Sequence, residues 1–177
     1  MEFDTLIRQR RSMRQYAPGK VVTADQIQAL VSAASEAPSW KNSQTARYYA
    51  VLSEEMRKRL TAFLPEGNAK KSRHAALVVT TFVKDCAGFD AQGQPDNECG
   101  NGWGFYDLGL HNALFLLKAR ELGLDTLVMG LRDADAIRTV LSIPEQETIV
   151  SVIAVGYGAQ PAVRPPRKAV DEILKFY

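Results

Sequence analysis

Two histidines, His74 and His111, are the whole imidazole supply of this chain, and neither belongs to an HExxH or to a His/Cys set at metal-ligand spacing. A G-x-S-x-G elbow and a Walker loop are also missing. Gly156-Tyr157-Gly158 follows a strand-like run, but no third glycine opens a helix, so the dinucleotide fingerprint is not met. No side chain stands out as nucleophile, general base or metal ligand. If the chain is an enzyme, an organic cofactor carries the chemistry.

Four short segments suit one kind of ligand. Arg10-Arg11-Ser12-Met13-Arg14 supplies cations and a hydroxyl. Pro38-Ser39-Trp40-Lys41-Asn42-Ser43-Gln44 gathers amides, hydroxyls and an indole in a turn. Val128-Met129-Gly130-Leu131 ends a strand at a glycine, where backbone can approach a flat ring. Arg164-Pro165-Pro166-Arg167-Lys168 holds cations in a stiff tail, which lowers the entropy lost on clamping an anion. Arginine forks fit phosphate, and Asn or Gln amides fit a ring edge with donors and acceptors. A ligand with a phosphate, a polyol and a planar heteroaromatic ring would use all four. The arginines near the two chain ends are then expected to converge on one anion.

Around these segments the periodicity predicts α-α-β-α-α-β-loop-α-β-α-β-tail, with helix one over residues 2–9. Thr23-Ala24-Asp25-Gln26 is a capping box, followed by Ile27, Leu30, Val31 and Ala34 at helical spacing. Pro38 stops that helix, and residues 39–46 are too polar to form core. Residues 47–52 read as a strand, Ser53 caps a short helix, and Pro65-Glu66-Gly67 breaks the chain before another helix at 68–74. Residues 75–83 and 148–155 are near-continuous apolar runs, as in central strands covered on both faces. Residues 124–129 form a further strand, and Asp133 caps a helix to about Leu141. The helix from Trp103 to Leu122 is apolar nearly all round, which requires burial all round and implies a subunit interface. Its His111 is expected to be a satisfied core histidine. Residues 84–102 form a long glycine-rich loop.

Composition excludes several classes. Charge is nearly balanced, 22 basic against 20 acidic residues, which argues against nucleic acid as a partner. No apolar run is long enough to span a membrane, and the acidic start Met1-Glu2-Phe3-Asp4 lacks a secretory core, so the expected location is the cytoplasm. Cys86 and Cys99 fit neither a CxxC nor a zinc pattern and read as free thiols.

The ordered set Arg-Arg-Ser-x-Arg, Ala37-Pro38-Ser39-Trp40-Lys41-Asn42-Ser43-Gln44, and a closing Gly-Tyr-x-x-x-Pro followed by an Arg-Lys pair resembles the nitroreductase family over essentially the whole chain. The resemblance implies an α+β fold in one domain over residues 1–177, with a mixed central sheet surrounded by helices. It implies an intertwined homodimer with a C-terminal extension, and FMN at the dimer interface. Arg10, Ser12 and Arg14 would then meet the phosphate–ribityl side or the polar ring edge, with Arg11 beside them. Arg167 and Lys168 would hold the phosphate. Pro38, Ser39, Trp40, Asn42 and Gln44 would reach the flavin from the other subunit. Met129 and Gly130 would lie against the isoalloxazine, with Asn68 near the ring. The implied reaction is ping-pong: NADH or NADPH gives hydride to flavin N5, and a small-molecule acceptor such as a nitroaromatic or quinone then takes the electrons. No protein residue is catalytic and no metal is needed. A specialised flavin enzyme of the same fold and a non-enzymatic FMN-binding or storage protein are the alternatives. Thr45-Ala46 replaces the Pro-Trp that many relatives carry after the Gln.

Overall fold

The computed structural model of the chain describes residues 2–177. Its elements are α1 (Phe3–Gln9), α2 (Ala24–Ser35), a single 3-10 turn (Trp40–Asn42), β1 (Ala46–Val51), α3 (Glu54–Thr61), α4 (Glu66–Lys71), β2 (Ala76–Val83), α5 (Gly102–Glu121), β3 (Asp125–Met129), α6 (Ala134–Leu141), β4 (Glu147–Gly156) and α7 (Val170–Ile173). The predicted order is therefore met, in an α+β arrangement.

The sheet runs β1-β2-β4-β3, and each neighbouring pair is antiparallel. Its mixed character reduces to one parallel bridge, Ser12 to Thr126, on the outer edge of β3. The central strands β2 and β4 alternate between two cores, as a period of two dictates. Leu77, Val79, Val152 and Ala154 pack with Leu60, Leu64, Ile137, Met13 and Tyr16. Ala76, Val78, Ile153 and Val155 pack on the other face with Leu30 and Ala34 of α2 and Phe115 and Ala119 of α5. Both faces are covered, which is why these runs lack polar alternation.

Local signals act as expected at three helix starts. Thr23 and Gln26 form the reciprocal capping box, Ser53 Oγ accepts from the Met56 amide, and Asp133 accepts from the Ala136 amide. The 68–74 helix is displaced to Glu66–Lys71. Pro65 has extended ψ and no N–H to leave orphaned, so it opens this helix instead of breaking the chain ahead of it. The polar 39–46 segment does reach the interior, since Thr45 is buried.

Within the chain α5 is buried on one face only, through Leu108, His111, Phe115 and Ala119, while Phe105 and Tyr106 stay 49% and 60% exposed. His111 is buried, but its Nε2 has no partner among the described residues, contrary to the expected satisfied histidine. Burial lowers its pKa against the opposing pull of Asp107. Cys86 and Cys99 are free and exposed. No helix among the described residues is long and apolar enough to cross a membrane.

Gly104 lets α5 cross directly over Phe82, whose ring a Cβ would overlap. Phe82 is fully buried and cannot step aside. Gly104→Ala is therefore expected to lower unfolding free energy by ~1–3 kcal/mol, since overpacking outweighs the gain in helix propensity. Gly67→Ala in α4, where a Cβ meets open space, is expected to raise it by up to ~1 kcal/mol. Urea denaturation of both variants checks the pair, and equal effects would contradict the assigned packing.

Candidate functional site

Residues 10–17 are irregular but firmly placed along the β3 edge. The Met13 amide donates to the Thr126 carbonyl at 2.8 Å, and the Ala17 amide to the Tyr157 carbonyl at 2.8 Å. Met13 and Tyr16 point inward and are buried, and the Tyr16 hydroxyl donates to the Ala154 carbonyl. Gly156 and Gly158 leave room for them: a Cβ at the first would press on the Tyr16 ring, and at the second on the Met13 side chain and Asp125. This Gly-Tyr-Gly is thus a packing device, which explains why it lacks the rest of a nucleotide fingerprint. With Met13 and Tyr16 anchored, Arg10, Arg11 and Ser12 stay half-buried and Arg14 exposed.

The arginines from the two chain ends do converge. Arg11 lies in the field of Arg164, Arg10, Arg167 and Arg120, and its pKa is lowered first by desolvation and then by these cations. A cavity of about 500 Å³ lies here, between Arg8, Arg11 and Arg120 on one side and Gly158–Ala162 on the other. Its one lining carboxylate, Asp125, is already engaged by Arg120 at 3.3 Å and by the Gly158 amide at 3.2 Å. Like charges held together with so little compensation favour an incoming polyanion. Lys168 is exposed on the same extended segment, and no contact ties it to the cluster.

Further along β3, Asn68 Nδ2 donates to the Leu131 carbonyl at 3.5 Å, bringing α4 beside the strand end. Gly130 faces open space. Met129 departs from expectation: its side chain is 2% exposed and lies in the core with Leu127, its partner in strand parity, while Val128 is 45% exposed. Only the Met129 backbone is left to face a ligand.

The 38–44 turn is strained. Lys41, Asn42 and Gln44 all have positive φ, at 46°, 55° and 48°, each costing roughly 1–2 kcal/mol for a residue with a Cβ. Ser39 Oγ accepts from the Gln44 amide, and the buried Asp107 accepts from the Trp40 amide at 2.8 Å. The Trp40 indole packs at a tilt against Trp103, with ring centroids 4.3 Å apart, and donates to Asp96, so much of it is committed inside its own chain. Pro38, Asn42 and Gln44 are exposed, and neither amide side chain is bonded among the described residues. Ser43 Oγ and Thr45 Oγ1 are buried and have no partner among the described residues.

One chain does not bring all these groups together. The 38–44 turn enters β1 and the arginine segment flanks β3, the opposite edges of the sheet. Three inter-strand steps of about 4.8 Å separate them, roughly 14 Å before any offset along the strands. Arg8, which belongs to the N-terminal cluster of arginines visible in the sequence, also lines the cavity at Arg11. The expectations missed Arg120, which looks like an ordinary cation in the last turn of α5. They also missed Asp107, although an acid in the apolar first half of that helix was a visible signal.

The chain matches the profile of the nitroreductase family over residues 7–157. Among curated proteins it is 25% identical over 204 residues to Bacillus subtilis MhqN, provisionally named an NAD(P)H nitroreductase, covering 99% of this chain and 98% of that one. A nitroreductase family protein from Streptococcus pneumoniae shares the fold with a TM-score of 0.87 at 19% identity, covering 99% of this chain and all of that one (100%). A nitroreductase-type protein from Exiguobacterium sibiricum, solved in complex with FMN, matches with a TM-score of 0.82 at 19% identity, covering 100% and 98%. The profile match spans most of the chain, and the protein belongs to the nitroreductase family.

Proposed function

We propose that this protein is an FMN-dependent NAD(P)H oxidoreductase acting in the cytoplasm as a homodimer, each chain being one domain over residues 1–177. The observation that carries the reading is Arg11, set in the field of Arg10, Arg120, Arg164 and Arg167 and lining, with Arg8 and Arg120, a cavity whose single carboxylate is already engaged. Family membership and an FMN complex of a relative with the same fold support FMN as the anion.

In this reading the arginines neutralise the phosphate, with Lys168 added from the exposed C-terminal segment. Ser12, Arg14 and Asn68 hydrogen-bond the polyol and the polar ring edge, and the backbone at Met129–Gly130 forms a floor without side chains. Pro38, Ser39, Trp40, Asn42 and Gln44 of a second copy close the other side, because their own chain places them across the sheet. The apolar face of α5 at Phe105 and Tyr106 is the surface the second copy covers. When bound, FMN supplies hydride acceptance at N5 and electron release to an acceptor. The protein binds the ring, orients donor and acceptor in turn by a ping-pong order, and excludes water. A nitroaromatic or quinone is the acceptor class, and no side chain is required to transfer a proton.

Three measurements test this. The purified protein should show a flavin spectrum that bleaches anaerobically on adding NADH or NADPH; no flavin after incubation with excess FMN sinks the reading. Arg11→Ala and Arg167→Ala should each weaken FMN binding about tenfold or more, the scale of one lost charge-assisted hydrogen bond. Wild-type affinity in both would mean the arginines are merely solvated. Finally, Arg10→Ala/Arg11→Ala and Asn42→Ala/Gln44→Ala should each be inactive alone. Unfolded and refolded together, they should recover up to about one quarter of wild-type activity, because half the twofold dimers are hybrids with one intact site. No recovery would place both segments in the same chain's site.

A further inference from the structure

The loop at 84–102 is built around Asp96. Its neck is clasped by Asp85 and Asn101, with the Asp85 amide donating to Asn101 Oδ1 at 2.7 Å and Asn101 Nδ2 to Asp85 Oδ1 at 2.8 Å. Inside, Phe89 and Pro95 form a bridge, and the Asp90 carboxylate accepts from the Gln92 and Gln94 amides. Asn97 Oδ1 accepts from the Trp103 indole at 3.0 Å, tying the loop to α5. Gly88, at φ 82°, lies so close under Trp103 that a Cβ would strike its ring. The Asp96 amide donates to the Gly88 carbonyl at 2.8 Å. A long loop held this way presents one side chain from a fixed position.

That side chain reaches the strained turn. Asp96 Oδ2 accepts from Trp40 Nε1 at 3.1 Å and from Lys41 Nζ at 2.8 Å. With Asp107 on the Trp40 amide and Trp103 against its ring, Trp40 is held at three points, all of them immediately ahead of the left-handed residues Lys41, Asn42 and Gln44. Strain of that kind persists only where the surroundings over-determine it.

We propose that Asp96 is a positioning residue: from the 84–102 loop it holds Trp40 and Lys41, and through them fixes the 38–44 turn in the shape that receives the flavin of a second copy. The inference rests on the proposed flavin site. It gives the loop a role in cofactor affinity, reached without touching the cofactor.

The test compares full-length Asp96→Ala, Asp96→Asn and Glu98→Ala, the last an exposed loop position with no described contact to the turn. Near-ultraviolet circular dichroism reads the Trp40–Trp103 pair, and FMN release on dilution reads affinity. Asp96→Ala is expected to lose much of the tryptophan signal and to release FMN about tenfold more readily. Asp96→Asn keeps an acceptor for the indole and should be partly rescued, and Glu98→Ala should match wild type. An unchanged tryptophan signal in Asp96→Ala overturns the proposal, as does a lost signal with unchanged FMN affinity, or an equal loss in Glu98→Ala. A wild-type protein that holds no FMN would instead sink the flavin reading, while the circular dichroism still decides whether Asp96 holds the turn.

Discussion

Everything at the candidate site depends on how residues 10–17 are fastened to the sheet. Arg11 sits among four other arginines, an arrangement that repels itself without a ligand. It is opposed by buried Met13 and Tyr16, by two backbone hydrogen bonds to Thr126 and Tyr157, and by two glycines that make space for the inward side chains. The free edge of β3 is at the same time covered, which removes a template for unwanted strand pairing. Anchoring and charge crowding are two sides of one segment: inward residues supply the stability that lets outward ones be held in an unfavourable field.

The second constraint is the width of the sheet. Four strands put the cation-rich segment and the amide-rich turn on opposite edges, so no local adjustment within one chain can bring them to a common ligand. The same chain leaves Phe105 and Tyr106 of α5 uncovered. An uncovered apolar face and a divided site are separate observations, and a symmetric second copy would account for both. The strain at Lys41, Asn42 and Gln44 fits that picture, since the chain maintains three costly conformations in a turn that makes little core of its own.

Much of this was legible in the amino-acid order. Element types and sequence follow from local rules: the Thr23/Gln26 box, Ser53 and Asp133 each mark a helix start, and the unbroken apolar runs of β2 and β4 announce strands buried on both faces. The residue types at 10–14, 38–44 and 164–168 suit an anionic, ring-bearing ligand, because forks match phosphate and amides match a ring edge with donors and acceptors. These features depend on near neighbours and on side-chain chemistry, both of which a sequence displays.

What only the tertiary structure decided depends on which residues meet across long separations. That Arg120 joins the cluster, that Met129 faces the core while Val128 faces out, and that His111 Nε2 has no partner among the described residues are consequences of register and packing with no local signature. Pro65 reads equally as a breaker or a helix start until the backbone around it is placed. The 84–102 loop has no periodicity at all, yet tertiary contacts bring Asp96 to residues 55 and 56 positions earlier in the chain. Sequence determined the elements, and pointed to the kind of ligand that is proposed, because those follow from local conformational preference and chemical type. The structure alone decided which groups converge, because convergence depends on strand order and on contacts that no window along the chain contains.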